Sequence, residues 1–162
     1  MGVGQDTGGL GDQPERSFGD LVFNAGEVLA FLNEVWPEGQ RSWTIQTLTP
    51  MSARVREPTS EANLRPGGTV SGPTLMALAD AAAYIMVLGR LGRAALAVTS
   101  SLQIDFLRRP TVGELVADVD LVKMGRSLAV MNIRLYSVDP GDEPNVARPV
   151  ATSSVTYSLS LV

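Results

Sequence analysis

The feature that most constrains this sequence is a long apolar stretch with a single carboxylate near its middle. Residues 74–88 contain no charged side chain other than Asp80. The stretch is rich in alanine, leucine and methionine, which favour α-helix. Pro73 suits the first turn of this helix, and Gly89 or Gly92 can end it. Because the helix is apolar on all sides, we expect the rest of the fold to bury most of it.

The same stretch is a poor membrane span. A transmembrane helix needs about 20 apolar residues, and a carboxylate at the centre of the bilayer is costly. Residues 1–19 contain glycine, aspartate and glutamine but lack the apolar segment of a signal peptide. We therefore expect a cytoplasmic protein with no membrane partner. Its 162 residues suit one domain, assigned to residues 20–162, preceded by a flexible tail over residues 1–19.

Six segments of the chain alternate apolar and polar residues, as half-buried strands do. The predicted strands are residues 41–48, 51–57, 96–107, 114–123, 128–138 and 147–161. Residues 18–36 have the apolar spacing of an amphipathic helix, and residues 58–70 are predicted to form a loop. This order is typical of an α+β fold in which a mainly antiparallel sheet packs against one helix. Since one sheet covers only one side of that helix, the remaining apolar surface predicts a closed two-fold dimer.

Histidine and cysteine are both absent from the sequence. Their absence excludes disulfides, cysteine nucleophiles, Ser-His-Asp triads and nearly all zinc sites. Acid–base chemistry must then use Asp, Glu, Tyr, Lys, water or the backbone, and we expect neither a metal nor a separate cofactor. The formal net charge of −4 argues against nucleic acid as the main partner.

A motif lies at the start of the long helix, and three further motif-like segments follow it along the chain. Ser71-Gly72-Pro73 is followed at a fixed spacing by Leu78-Ala79-Asp80-Ala81-Ala82. The later segments are residues 98–110, which end in Phe106-Leu107-Arg108-Arg109-Pro110, then Gly113-Glu114, and then residues 125–130. Over about residues 40–160, the chain resembles the PaaI-like hotdog-fold acyl-CoA thioesterases. The resemblance implies a hotdog fold, in which an antiparallel sheet wraps around one long central helix, here with an extra N-terminal helix.

The resemblance also implies the roles of individual residues. Asp80 matches the carboxylate that activates water or attacks the thioester carbonyl. Gly72 matches the backbone N–H group that polarises the carbonyl oxygen. Thr99 matches a hydroxyl that assists from the other subunit, and Ser100 and Ser101 compete for the same role.

Two positions depart from the family pattern. Ser71 stands where the family has histidine, and Pro73 stands where it has a second glycine. Pro73 removes one N–H group from the helix start, but the N–H of Gly72 remains. Asn63, in the loop before the motif, is the candidate for an asparagine that often completes the family's site.

Further residues are candidates for binding the substrate. Ser71 and Tyr84 lie close to the expected catalytic positions along the helix. Arg108, Arg109, Lys123 and Arg126 form a basic set in an acidic protein, which an anionic group such as the phosphates of coenzyme A would require. Arg65 is a further candidate for the same role.

The expected protein is therefore a homodimer, or a dimer of dimers, that hydrolyses acyl-CoA at its dimer interface. The alternative is a non-catalytic acyl-CoA-binding protein of the same fold, because Ser71 and Pro73 depart from the family pattern. Asp80 would also suit a purely structural dimer, as a helix carboxylate satisfied by an arginine or a backbone group. A hydratase is disfavoured, because the hotdog dehydratases rely on histidine.

Overall fold

The computed structural model describes residues 19–37 and 42–159 of the chain. The predicted flexible tail, residues 1–19, lies outside the described residues apart from Gly19. The helices and strands are α1 (Ala25–Val35), β1 (Thr44–Leu48), β2 (Ser52–Pro58), β3 (Leu64–Arg65), β4 (Thr69–Val70), α2 (Gly72–Leu91), β5 (Val98–Phe106), β6 (Glu114–Met124), β7 (Leu128–Val138) and β8 (Ala151–Ser158).

Six of these strands form one antiparallel sheet in the order β1-β2-β6-β7-β8-β5. The strand that follows the long helix, β5, lies at one edge beside the last strand of the chain. Strands β3 and β4 form a short separate hairpin immediately before α2. The sheet wraps around α2, and the predicted α+β hotdog fold with an extra N-terminal helix is confirmed.

The central helix α2 forms the core together with the inner face of the sheet. Its fully buried residues include Leu75, Leu78, Ile85 and Leu88, and α2 contacts β2, β5, β6, β7 and β8. Among the described residues, α2 is the helix long and apolar enough to cross a membrane, yet 61% of its most apolar 18-residue window is buried inside the fold. The helix is therefore the core helix that the sequence predicted.

One stripe of α2 is left uncovered by the sheet. Its residues recur at three- or four-residue spacing, so that they share one side of the helix. The partly or largely exposed residues of the stripe are Pro73, Met76, Ala77, Asp80, Ala81 and Tyr84. The carboxylate that interrupts the apolar stretch thus lies on the partly exposed stripe of α2, at the point where residues of β5 and β8 reach it.

The first helix is shorter than predicted, because it begins at Ala25 and not at residue 18. Asn24 ends the preceding segment, and its Oδ1 accepts a hydrogen bond from the Glu27 N–H at 3.0 Å. The Glu27 carboxylate in turn accepts from the Asn24 N–H at 2.8 Å. This reciprocal capping box fixes the start of α1. Before it, the N–H groups of Val22 and Phe23 both donate to the Gly89 carbonyl, which holds the chain in a non-helical path across the end of α2.

Other segments also differ from the prediction, and β1 and β5 begin later than expected, at Thr44 and Val98. The last strand begins at Ala151 and not at residue 147, because the Arg148 N–H donates to the Asn145 carbonyl at 2.9 Å and closes a turn there. The predicted loop over residues 58–70 contains the β3–β4 hairpin and a 3₁₀ turn over Glu61–Asn63.

Truncation of the helix core should be costly. Leu78 is 0% exposed, and we expect Leu78→Ala to lower the free energy of unfolding by about 2–5 kcal/mol through lost burial and a cavity. Leu96 is 63% exposed, so the matched change Leu96→Ala should cost less than about 0.5 kcal/mol. Urea denaturation measures both. Equal losses in the two variants would contradict the burial of α2.

Candidate active site

Asp80 is half-buried at the middle of α2, and one of its two carboxylate oxygens is held by hydroxyl groups. Thr99 Oγ1 donates to Asp80 Oδ1 at 2.5 Å, and the Tyr157 hydroxyl donates to the same oxygen at 3.0 Å. The Tyr157 hydroxyl also lies 3.2 Å from the Asp80 carbonyl oxygen. No described residue hydrogen-bonds to the second carboxylate oxygen, Oδ2. Oδ1 is therefore held by two donors, whereas Oδ2 has no hydrogen-bond partner among the described residues.

The pairing of β5 with β8 brings the two hydroxyls together. Thr99 and Tyr157 are directly opposite each other in this antiparallel pair, and the register shifts between Thr99 and Ser101. At this bulge Ser100 turns away, and its hydroxyl donates to the Thr156 carbonyl at 3.1 Å. Of the three candidate hydroxyls, Thr99 is the one that contacts Asp80.

The Thr99 hydroxyl belongs to the same chain as the carboxylate that it contacts. The resemblance implied a hydroxyl from the other subunit, which stays a prediction; the observed hydrogen bond joins two residues of one chain. The physical reason is that β5 returns along the sheet edge directly after α2, which lays the first residues of the strand against the middle of its own helix.

Tyr157 is the site residue that the sequence analysis missed. It is 4% exposed, and its ring stacks on the ring of Tyr84 at a centroid distance of 5.9 Å and an interplanar angle of 9°. Burial, reinforced by the charge of Asp80, raises the pKa of the Tyr157 phenol, and burial also raises the pKa of Tyr84. Both groups thus stay protonated as hydrogen-bond donors. The signal in the sequence was a tyrosine on the apolar side of an alternating strand, where its hydroxyl requires a partner.

A small pocket of about 130 Å³ opens beside Asp80. Its lining is aromatic except for the carboxylate and two alanines of α2. The lining residues are Trp36, Trp43, Ala77, Asp80, Ala81, Tyr84 and Tyr157. Trp36 and Trp43 meet edge to face, with ring centroids 6.4 Å apart. A carboxylate in such a setting can accept a proton from water, or attack an electrophile, at the edge of an apolar binding site.

The first turn of α2 leaves one backbone donor available. Ser71 is the N-cap, and its Oγ accepts from the Thr74 N–H at 3.4 Å, while its carbonyl accepts from the Leu75 N–H. Pro73 has no N–H, so the Gly72 N–H is the one group of this turn without a partner among the described residues. A free N–H at the positive end of a helix can stabilise an oxyanion.

A groove of about 770 Å³ lies at this end of α2. Gly72 contributes to it, with the Phe106 ring packed against the glycine so closely that an added Cβ would lie 3.2 Å from the ring. Arg65, Arg108 and Arg109 also line the groove, and the Arg108 guanidinium donates to the Pro149 carbonyl at 2.6 Å.

Arg126 is not part of this groove. Arg109 precedes β6 and Arg126 follows it, so that the two arginines lie at opposite ends of this 11-residue strand. The length of the strand corresponds to a separation of about 30 Å. The structure therefore brings Arg65, Arg108 and Arg109 together in one groove and places Arg126 at the opposite end of the sheet.

Asn63 holds the loop that leads into the helix. Its side-chain Oδ1 accepts from the Ser60 N–H at 2.8 Å, and its carbonyl accepts from the Ser71 N–H at 2.8 Å. It lines a separate groove with Pro73 and Ala77. Within one chain, Asn63 is thus close to the start of α2 and does not contact Asp80.

The two main candidate groups lie on different turns of α2. Gly72 and Asp80 are eight residues apart, which corresponds to about 12 Å along a helix axis. A thioester carbonyl group is far smaller than this distance. A single chain therefore does not bring its own carboxylate and its own helix N–H to the same reacting carbonyl.

Other acidic side chains are engaged in ion pairs on the outer side of β2. Arg54 pairs with Asp118 at 2.5 Å and with Glu143 at 2.8 Å, while Arg56 pairs with Glu114 at 2.8 Å. These contacts tie the loop after β7 to the sheet. Among residues 19–37 and 42–159, no three acidic side chains lie together in a way that could hold a metal ion.

Several of the known proteins that this chain resembles carry the name thioesterase. The sequence profile of the Thioesterase superfamily matches residues 67–143. A crystal structure from Silicibacter sp. TM1040, classed as a thioesterase, is 43% identical with a TM-score of 0.76, and the match covers 88% of this chain and 95% of that chain. A variant of the phenylacetic acid degradation protein PaaI from Thermus thermophilus is 25% identical with a TM-score of 0.60, over 72% of this chain and 91% of that chain.

A thioesterase family protein from Silicibacter pomeroyi shares the fold at 21% identity and a TM-score of 0.69, over 83% of this chain and 96% of that chain. None of the curated proteins compared with the chain matches it significantly. The 43% identity nevertheless extends over nearly the whole of one relative, and the wrapped sheet and central helix agree with it. The chain belongs to the hotdog-type thioesterase family.

Proposed function

We propose that this protein hydrolyses acyl-CoA thioesters to a free acid and coenzyme A, in the cytoplasm and as a homodimer or a dimer of dimers. Its family supports the hydrolysis of a thioester bond. The observation that carries the proposal is the Asp80 carboxylate, which lines an apolar pocket with Oδ1 held by two hydroxyls and Oδ2 free. No metal or separate cofactor enters the proposal, because coenzyme A is part of the substrate.

The proposed reaction uses Asp80 as a general base or as a nucleophile. As a base, it takes a proton from water while the water oxygen attacks the thioester carbonyl carbon. The carbonyl oxygen becomes an oxyanion that the N–H of Gly72 of the partner subunit stabilises. The intermediate then collapses, the carbon–sulfur bond breaks, and the proton returns to the departing thiolate. As a nucleophile, Oδ2 would attack the carbonyl carbon, the carbon–sulfur bond would break and the thiolate of coenzyme A would leave, which gives a mixed anhydride; water then hydrolyses the anhydride to the free acid and the Asp80 carboxylate.

The arginines beside Gly72 support coenzyme A as the carrier of the acyl group. Arg65, Arg108 and Arg109 form a local basic patch in a protein whose formal net charge is −4. Guanidinium groups bind phosphate oxygens strongly. Phosphates bound at these arginines would leave the pantetheine arm of coenzyme A to extend from the groove toward the reacting carbonyl.

A second copy of the chain would complete the site. Met76 is 40% exposed on the uncovered stripe of α2, and Gly72 and Asp80 lie four positions on either side of it. Two α2 helices that cross antiparallel at Met76 would bring Asp80 of each chain beside Gly72 of the partner subunit. The edge strand β5 has nine residues, and an unprotected edge of this length favours pairing with another chain.

Loss of the carboxylate should abolish turnover. We expect the wild-type protein to release free thiol from at least one member of a panel of acyl-CoAs, and Asp80→Asn to lower kcat by about 100- to 10,000-fold. Thiol release is followed with a chromogenic disulfide reagent. Unchanged turnover in Asp80→Asn would contradict the mechanism. Binding of acyl-CoA by the wild type without any turnover would favour the non-catalytic binding protein, which the replacement of the family's histidine by Ser71 first suggested.

Loss of the helix N–H should also slow the reaction. Gly72→Pro removes this donor at a helix position that tolerates proline, and Ser71 already has the extended backbone that precedes proline (φ −72, ψ 151). We expect kcat to fall about 100- to 1,000-fold. Gly72→Ala is the matched control, because it adds the same Cβ contact with Phe106 but keeps the N–H.

Mixing the two inactive variants tests whether the site is shared between chains. A heterodimer of Asp80→Asn and Gly72→Pro has one site with both defects and one intact site. Random exchange of subunits should therefore restore about a quarter of the wild-type activity. No recovery, despite demonstrated subunit exchange, would mean that Asp80 and Gly72 act within one chain.

The basic patch should matter only for substrates that carry phosphates. We expect Arg109→Ala to raise KM for an acyl-CoA by about tenfold, the equivalent of one charge-assisted contact. The KM for the same acyl group on N-acetylcysteamine, which lacks the phosphates, should not change. An equal change with both substrates would argue against phosphate binding in this groove. Arg126→Ala is the matched control on the opposite end of the sheet.

A further inference from the structure

Tyr157 is a buried donor whose position is fixed from several sides. It lies on β8, which is hydrogen-bonded to β7 on one side and to β5 on the other. Its ring stacks on Tyr84, a residue one turn beyond Asp80 on α2. Its hydroxyl has Asp80 as its partner, through Oδ1 at 3.0 Å and the carbonyl oxygen at 3.2 Å. Thr99, the other donor, lies by contrast on the exposed edge strand at a bulge.

We propose that Tyr157 is the positioning residue for the Asp80 carboxylate, which it locks together with Thr99 through Oδ1, so that Oδ2 is the reacting oxygen. The inference rests on the proposed function. Free rotation of a carboxylate would present either oxygen to the substrate, in many orientations. Two donors on one oxygen remove this freedom, and the correct placement of a catalytic group contributes strongly to the rate.

The chemistry of the phenol suits this role. A neutral hydroxyl can donate to a carboxylate, whereas a phenolate would repel it. Burial raises the pKa of the Tyr157 phenol, so the group stays a donor in neutral and mildly alkaline solution. The hydroxyl also lies near the α2 backbone, and a purely structural role would therefore consist of satisfying the Asp80 carbonyl oxygen. A positioning role predicts that loss of the hydroxyl lowers kcat, whereas a purely structural role predicts an unchanged kcat in the folded variant.

Tyr157→Phe tests the inference, because it keeps the ring and its stacking and removes only the hydroxyl. We expect kcat for acyl-CoA hydrolysis to fall about 10- to 100-fold, as for the loss of a hydrogen bond to a charged group. KM should stay within about twofold of the wild-type value, since the hydroxyl does not bind substrate. The matched control is Tyr136→Phe. Tyr136 is also buried, at 2% exposed, but its hydroxyl lies 3.5 Å from the Val146 carbonyl and has no link to Asp80.

All variants are assayed as folded protein, at a temperature below the melting temperature of the least stable one. A wild-type kcat in Tyr157→Phe, or an equal loss in Tyr136→Phe, overturns the positioning role. If Asp80→Asn abolishes turnover but Tyr157→Phe keeps the wild-type rate, this inference alone is overturned and the proposed function stays intact. Absence of thioester turnover in the wild type overturns the proposed function, and the inference with it.

Discussion

The burial of α2 is the constraint on which the rest of this structure depends. A 20-residue helix with few polar side chains is stable in water only when other apolar surface covers it. Burial of each large side chain such as Leu75 or Ile85 contributes about 1.5–3 kcal/mol. The sheet provides this cover on one side only, and the uncovered stripe carries Asp80. The Asp80 carboxylate is thus at the boundary between the protein core and the partly exposed surface of the helix.

The helix also sets the spacing of the candidate site. Because both residues are in α2, eight positions apart, Gly72 and Asp80 are about two turns apart, and no movement of a side chain can close this distance. In the proposed dimer, a symmetric pair of chains would resolve the problem without any change in the fold, since Met76 lies midway between the two positions. The apolar stripe on α2 and the separation of the two candidate groups would then both be explained by one interface.

Much of the fold could be predicted from the sequence, because it depends on periodicity. The apolar stretch predicted α2, and alternation predicted the six strands of the sheet. The errors lie where local hydrogen bonds override periodicity. The start of α1 is fixed by the capping box of Asn24 and Glu27, whose spacing is visible in the sequence and could have corrected the boundary. The end of the turn before β8 depends on contacts of the backbone, which leave no such signal.

The sequence by itself determined the chemical repertoire and the family resemblance: it has neither histidine nor cysteine, and Asp80 is the one charged residue within residues 74–88. Only the tertiary structure decided how that group is held. Thr99 was one of three adjacent hydroxyl residues, and the bulge in β5 selects it. Tyr157 is 77 residues away in the chain from Asp80, and it reaches the carboxylate because β8 lies between β5 and β7. Contacts of this kind depend on strand order, register and packing, which periodicity along the chain does not encode.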